Sequence, residues 1–214
     1  LIPGGVTLVS FDTTRADHLG CYGYGQPTSP NIDLLADRSV RFEHAYTPTP
    51  ITLPAHASLF TGAYPASHGV RSNGIFSLGG QLPPLAESFK DAGFATAAFV
   101  SSFVMDSRYG LGRGFTHYDD DLVAGGRRGG VLNQRERSAE ATTDTALEWL
   151  TANGENNFFA FVHYFDPHRP FEAPGRFTSR FENLYDAEIA YADSQLGRLL
   201  AALDSLGLAG NTII

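Results

Sequence analysis

Short apolar runs that alternate with helical periods constrain the fold of this 214-residue chain more than any other feature of its sequence. Two of these runs, residues 6–11 and 158–164, are almost continuously apolar, which is typical of strands buried on both faces. Other segments have the apolar spacing of amphipathic helices, and residues 186–206 form the longest of them. The alternation predicts an α/β protein whose mostly parallel sheet is covered by helices on both faces.

Proline, glycine and capping residues mark the boundaries of the predicted elements. Strands are predicted over 6–11, 40–46, 94–100, 158–164 and 211–214, helices over 30–39, 55–61, 84–92, 135–153 and 186–206, and a glycine- and arginine-rich loop over 125–130. The segment 40–46 is expected to be an edge strand.

Polar residues follow two of these strands where the strands end. Asp12 comes directly after the first strand, and Asp166 and His168 come just after the strand over 158–164. Ligands of open α/β sheets bind beyond the carboxyl ends of the strands. We therefore expect both segments to project toward one crevice.

Asp12 and Thr52 are the two candidates for metal chemistry. A buried carboxylate needs a cation or hydrogen-bond donors, so Asp12 is either a metal ligand or the cap of the following turn. Thr52 lies at a predicted helix start, where threonine is a common N-cap. A metal-bound hydroxyl at the same place would attack a tetrahedral anion, whose charge the helix N-terminus stabilises.

Four basic side chains are candidate substrate contacts. His163 lies near the end of the strand over 158–164. His168 and Arg169 follow it in a short segment that two prolines stiffen, and such a segment can hold an imidazole and a guanidinium toward an anion. The alternative is a structural turn with solvated side chains. His56 lies on the first turn of the helix that follows Thr52, and taken alone it indicates a hydrogen-bonded histidine rather than a ligand.

Charge and cysteine content exclude some classes of protein. The formal net charge of −8 argues against a general nucleic-acid binder, which needs a basic face. It does not exclude an anionic substrate, because the local charge in a cleft can oppose the net charge. Cys21 is the single cysteine, so an internal disulfide bond is impossible.

Several motifs resemble those of the sulfatase family in the alkaline phosphatase superfamily. Residues 8–23 (LVSFDTTRADHLGCYG) resemble the opening of these enzymes, residues 57–65 (ASLFTGAYP) the segment after their nucleophile, and residues 166–171 (DPHRPF) their Asp-Pro-His-x-Pro-aromatic loop. The matches follow the order of the family over nearly the whole chain.

The resemblance implies an alkaline-phosphatase-like three-layer α/β/α sandwich and the hydrolysis or transfer of sulfate or phosphate esters. It implies a divalent metal ion (Zn, Mn or Ca) with Asp12 and Thr52 as ligands, Thr52 as the nucleophile, and His168 as a catalytic residue that orients the ester or assists the leaving group. Arg169, His163 and His56 are the expected substrate-binding residues. The expected substrate is a small-molecule, glycan or lipid ester.

Four departures from the sulfatase pattern bear on the chemistry. Thr52 stands where sulfatases have a cysteine or serine that is oxidised to formylglycine, an aldehyde that threonine cannot form. His56 replaces an arginine, Thr13 replaces a second aspartate, and a Gly-Lys-x-x-His element is missing after Gly93. One aspartate with one threonine resembles the phosphodiesterases and phospholipid-headgroup transferases of the superfamily, so phosphate esters are favoured.

In this superfamily the remaining metal ligands come from an Asp-His element after a late strand, and we expect that element beyond Ile214. The chain is therefore interpreted as the N-terminal portion of a single, longer catalytic domain. A truncated sheet exposes an edge that favours self-association. Two alternatives stay open, namely a phospho-headgroup transferase and a binding module whose catalytic set has decayed.

Overall fold

The computed structural model of the protein describes residues 4–122, 126–129 and 134–214. Its strands are β1 (Gly5–Phe11), β2 (Ala95–Phe99), β3 (His117–Asp119), β4 (Gly126–Gly129), β5 (Gln134–Arg137), β6 (Phe158–Tyr164) and β7 (Thr212–Ile213). Within these residues, five strands form a parallel sheet in the order β3-β2-β6-β1-β7, and β4 pairs with β5 in an antiparallel ribbon. The predicted parallel sheet is confirmed. Self-association through an edge of this sheet stays a prediction.

Most of the α-helices lie between strands of the sheet along the chain. They are α1 (Pro30–Ala36), α2 (Thr52–Thr61), α3 (Pro65–His68), α4 (Leu85–Asp91), α5 (Ala139–Asn153), α6 (Gly175–Thr178) and α7 (Leu184–Ser205). The chain reverses after α2 at Gly62, whose φ of 65° is in the left-handed region that glycine adopts without strain. Among the residues that the structure describes, no helix has both the length and the apolar content that crossing a bilayer requires.

Helices cover both faces of the sheet because β6 is apolar on both of its faces. Phe158, Ala160, Val162 and Tyr164 share a core with residues of α5 and α7. The alternate residue Phe161 packs in a second core with residues of α2. These two cores make the predicted three-layer α/β/α sandwich.

The register of the central strands sets the position of the candidate residues. β1 lies between β6 and β7, and Ser10 is the register partner of His163 in β6. Just beyond β1, the amide of Asp12 donates to the carbonyl of Tyr164 over 2.8 Å. The carboxyl ends of β1 and β6 therefore meet at one edge of the sheet, as expected.

Three predictions about local structure are wrong. Residues 40–46 form irregular, exposed backbone rather than an edge strand, and the segment is held by the Tyr22 hydroxyl, which donates to the carbonyl of Phe42. Residues 126–129 of the predicted loop form β4, while residues 125 and 130 lie outside the described ones. The helix predicted from residue 135 begins at Ala139, because residues 134–137 pair with β4.

A buried ion pair holds the start of α5 against the sheet. The guanidinium of Arg137 lies 2.8 Å from Asp119, and the two side chains are only 2% and 12% exposed. Arg137 also donates to the carbonyl of Val100 and to the hydroxyl of Thr142. Burial raises the pKa of the Asp119 carboxyl, but the hydrogen bond and charge of Arg137 outweigh it and hold that pKa below its ordinary value.

We expect Asp119→Ala to lower the free energy of unfolding by about 3–5 kcal/mol, because it leaves a buried guanidinium without its partner. The pKa of Asp119 is lowered in the folded protein, so the pair stabilises the fold above about pH 4 and loses that effect as the pH falls. Urea unfolding at pH 7 and at pH 3 should show the variant approaching the wild type at the lower pH. Asp144→Ala, which breaks an exposed pair with Arg198, should cost less than about 1 kcal/mol. Equal losses in the two variants would contradict the prediction.

Candidate functional site

A large cleft opens at the carboxyl end of β1. It encloses about 1360 Å³, and its lining includes Asp12, Thr52, His56 and His168. Four of the predicted site residues, from three separate segments of the chain, therefore face one cavity. Arg169 is exposed, and its guanidinium lies over the ring of Phe171, 5.4 Å from the ring centroid.

Asp12 is a nearly buried carboxylate, with 6% of its surface exposed. Its Oδ2 lies 3.3 Å from Nε2 of His163. The amide of Ser101 donates to Nδ1 of His163, so Nε2 carries the hydrogen that His163 directs at Asp12. Burial raises the pKa of Asp12, but the hydrogen bond of His163, electrostatic interactions with His163 and His56, and the neighbouring Thr52 side chain together hold it below its ordinary value.

Thr52 is the first residue of α2, and its side chain lies close enough to Asp12 to help lower the pKa of that carboxyl. The N-cap residue of α2 is Ile51, so the interpretation of Thr52 as an N-cap is wrong. The amide of Leu53 donates instead to the Asn73 side chain over 2.9 Å. Because Asn73 satisfies a donor at the start of α2, the Thr52 hydroxyl can face the carboxylate of Asp12. The sequence offers no local signal for Asn73, which lies twenty residues after Leu53.

His56 is a buried bridge between α2 and β1. Its Nδ1 donates to the carbonyl of Thr52 over 2.8 Å, so its Nε2 accepts from the hydroxyl of Ser10, also over 2.8 Å. Burial lowers the pKa of His56 to about 4. Ser10 was missed by the sequence analysis, although strand alternation places it on the same face of β1 as Asp12.

The remaining candidates lie on the strand β6 and on the loop after it. His163 is completely buried and contacts Asp12 from the interior of the protein, so its ring does not reach the cleft surface. His168 lines the cleft, stacks on Phe165 with 4.3 Å between ring centroids, and donates from Nδ1 to the carbonyl of Arg169. Asp166 accepts from the amide of Ala139, which fastens this loop to the N-terminus of α5.

The donor set at the cleft fits part of the ligand shell of a hard divalent cation. Asp12 supplies an ionised carboxylate, and Thr52 supplies an adjacent hydroxyl. Within residues 4–122, 126–129 and 134–214, no group of three or more His, Cys, Asp or Glu side chains is placed to hold a metal ion. The described residues therefore offer two oxygen donors on neighbouring elements rather than a closed cage.

Comparisons with known proteins identify the family that this chain is similar to. The model of the sulfatase family matches residues 6–214. The uncharacterized sulfatase YidJ of Escherichia coli (strain K12) is 27% identical over 205 residues, which cover 83% of this chain and 41% of that protein. Iduronate 2-sulfatase of Homo sapiens is 25% identical over a gapped alignment of 292 positions that includes 98% of this chain and 53% of that protein. The chain thus spans about half the length of these curated relatives.

A solved structure supports the fold independently. The crystal structure of the phosphonate monoester hydrolase of Agrobacterium radiobacter matches with a TM-score of 0.79 at 21% sequence identity. The match covers 98% of this chain and 61% of that one. The alkaline-phosphatase-like α/β architecture expected from the sequence is confirmed.

We expect Ser10→Ala to lower the free energy of unfolding by about 1–3 kcal/mol, because it leaves Nε2 of the buried His56 without its donor. The matched control is Ser205→Ala, which removes an exposed hydroxyl that donates to the carbonyl of Ala202 in α7. That control should change the stability by less than about 0.5 kcal/mol in the same urea titration. The interpretation of His56 as a bridge fails if Ser10→Ala is no more destabilising than Ser205→Ala.

Proposed function

Because this chain belongs to the sulfatase family, we propose that it carries the nucleophile and part of the metal site of a metal-dependent ester hydrolase. The observation that carries the proposal is that the Asp12 carboxylate and the Thr52 side chain, at the start of α2, lie close together in the lining of one cleft. An ionised carboxylate and a hydroxyl side by side at the carboxyl end of a parallel strand suit an attack on a tetrahedral anion.

Asp12 and Thr52 would hold the divalent cation, and their roles follow from their surroundings. A bound divalent cation lowers the pKa of a hydroxyl and offsets the negative charge of the ester. The Thr52 hydroxyl loses its proton to water, its oxygen attacks the central atom of the ester, and the bond from that atom to the leaving oxygen breaks. A water molecule then attacks the same atom, which breaks its bond to Thr52 and restores the hydroxyl. The N-terminus of α2, where Thr52 lies, stabilises the charge on the remaining oxygens through the helix dipole.

His168 is the proposed general acid. Its Nδ1 donates to the carbonyl of Arg169 and its ring is held against Phe165, so in the imidazolium form Nε2 is left to give its proton to the leaving oxygen. His56 and His163 take positioning roles in this proposal, because both nitrogens of each ring already have partners in the protein. Arg169 keeps its predicted role as an outer contact to the anionic substrate.

We favour phosphate-type esters over sulfate esters because of Thr52. Threonine cannot be oxidised to formylglycine, the aldehyde with which sulfatases hydrolyse sulfate esters. The threonine hydroxyl can instead attack an ester directly once the pKa of the hydroxyl is lowered. The fold does not choose between the two chemistries, since both sulfatases and a phosphonate monoester hydrolase have it. The substrate preference therefore rests on the single residue at position 52.

We expect Thr52→Ala in the complete natural polypeptide to lower kcat toward a preferred phosphate-type ester by roughly 10³-fold or more, because the attacking oxygen is gone. The measurement is a panel of aryl phosphate monoester, phosphodiester, phosphonate monoester and sulfate ester with Zn²⁺, Mn²⁺ or Ca²⁺. Thr61→Ala is the matched control, since Thr61 lies at the other end of α2, donates to the carbonyl of Ala57 and accepts from the amide of Ala63. Sulfate turnover that survives Thr52→Ala would refute the assignment of the nucleophile.

We expect Asp12→Asn to weaken divalent cation binding by more than about tenfold, because the negative charge of the proposed ligand is lost. Isothermal titration calorimetry with each cation gives the Kd directly. Asp17→Asn removes the same charge from an exposed residue that is paired with Arg15, and it should leave the Kd within about twofold. Equal effects of the two substitutions would argue against Asp12 as a ligand.

A further inference from the structure

The residue that follows Asp12 has an unfavourable backbone conformation. Thr13 has a φ of 51°, which makes it the single non-glycine residue with positive φ among those the structure describes. This left-handed region is costly for a β-branched side chain and persists only where the surroundings enforce it. Thr13 also lines the cleft. The strained turn therefore lies at the site and needs a group that holds it.

One hydroxyl group, on Tyr185, holds both sides of this turn. It donates to the carbonyl of Thr13 over 2.7 Å and accepts from the amide of Arg15 over 2.9 Å. Tyr185 lies on the first turn of α7, far from the turn along the chain. The hydroxyl thus replaces the local backbone hydrogen bonds that a relaxed turn would make for itself.

The Tyr185 hydroxyl is itself rigidly placed. The next residue of α7, Asp186, is buried and accepts hydrogen bonds from His18 and Tyr24, each over 2.6 Å. The ring of Tyr185 packs edge-on against His18, with 5.0 Å between centroids, and lies 5.7 Å from the ring of Phe171. Tyr185 therefore sits between the turn after Asp12 and the loop that carries His168.

We propose that Tyr185 is a positioning residue whose single hydroxyl holds the strained turn at Thr13, and with it the Asp12 carboxylate, in the geometry that binds a divalent cation with Thr52. This inference rests on the proposed function, because it assigns the cation to Asp12 and Thr52. It adds a residue that touches neither the cation nor the substrate.

The test measures divalent cation affinity on the complete natural polypeptide by isothermal titration calorimetry with Zn²⁺, Mn²⁺ and Ca²⁺. Tyr185→Phe keeps both ring contacts and removes only the hydroxyl, so we expect the Kd to rise roughly tenfold as two hydrogen bonds are lost. Tyr22→Phe is the matched control, because its exposed hydroxyl also donates to a backbone carbonyl, that of Phe42. That control should leave the Kd unchanged within about twofold.

A second substitution distinguishes a positioning role of Tyr185 from a general contribution of Tyr185 to the stability of the fold. Glycine adopts a φ near 51° without strain, so Thr13→Gly combined with Tyr185→Phe should recover most of the lost affinity. A loss of affinity that Thr13→Gly does not recover would overturn the inference, because the hydroxyl would then act elsewhere than through the turn. Equal Kd values for Tyr185→Phe and Tyr22→Phe would also overturn it, while leaving the proposed function intact. A wild-type protein that binds none of the three cations would overturn both.

Discussion

The contact between Asp12 and Thr52 is the interaction on which the site depends. A carboxylate with 6% exposure stays ionised only where donors compensate for lost water, and His163 and Thr52 are those donors. Each donor is fixed by a second contact: Ser101 orients the ring of His163, and Asn73 satisfies the amide that follows Thr52. The site is therefore held by contacts between elements rather than by any single loop.

His56 shows how a strand and a helix are joined at such a site. Its two hydrogen bonds run from the side chain of a strand residue, Ser10, to the backbone of a helix residue, Thr52. In a buried environment, a fully satisfied polar network of this kind specifies one arrangement, because every alternative leaves a group unpaired. A charged arginine at position 56 would need a different set of partners, all of them acceptors. A histidine at position 56 therefore suits Ser10 as its hydrogen-bond partner, although the two residues are 46 positions apart in the sequence.

The local pattern of apolar residues was sufficient to predict the central strands of this fold. β6 was predicted with its observed limits, and the continuous apolar run of β1 predicted both the strand and the crevice at its end. The pattern was insufficient where a distant residue decides the structure. Residues 40–46 alternate like a strand but remain irregular, and residues 134–137 leave the helical pattern because they pair with β4 and Arg137 is buried beside Asp119. The roles of Ser10, Asn73 and Tyr185 likewise depend on hydrogen-bond partners that are distant in the sequence, so no local motif predicts these roles.

The position of β1 between β6 and β7 has a consequence for biosynthesis. β1 pairs with two strands that are synthesised after it, with β6, where Gly5 is the register partner of Phe158, and with β7, where Gly5 is the register partner of Thr212. At ordinary translation rates, on the order of ten seconds pass before the first of these partners emerges. During that interval the nascent strand has none of its sheet neighbours, and its apolar side chains are available to chaperones. Asp12 is thus synthesised well before His163 and Tyr164, which contact it in the folded protein.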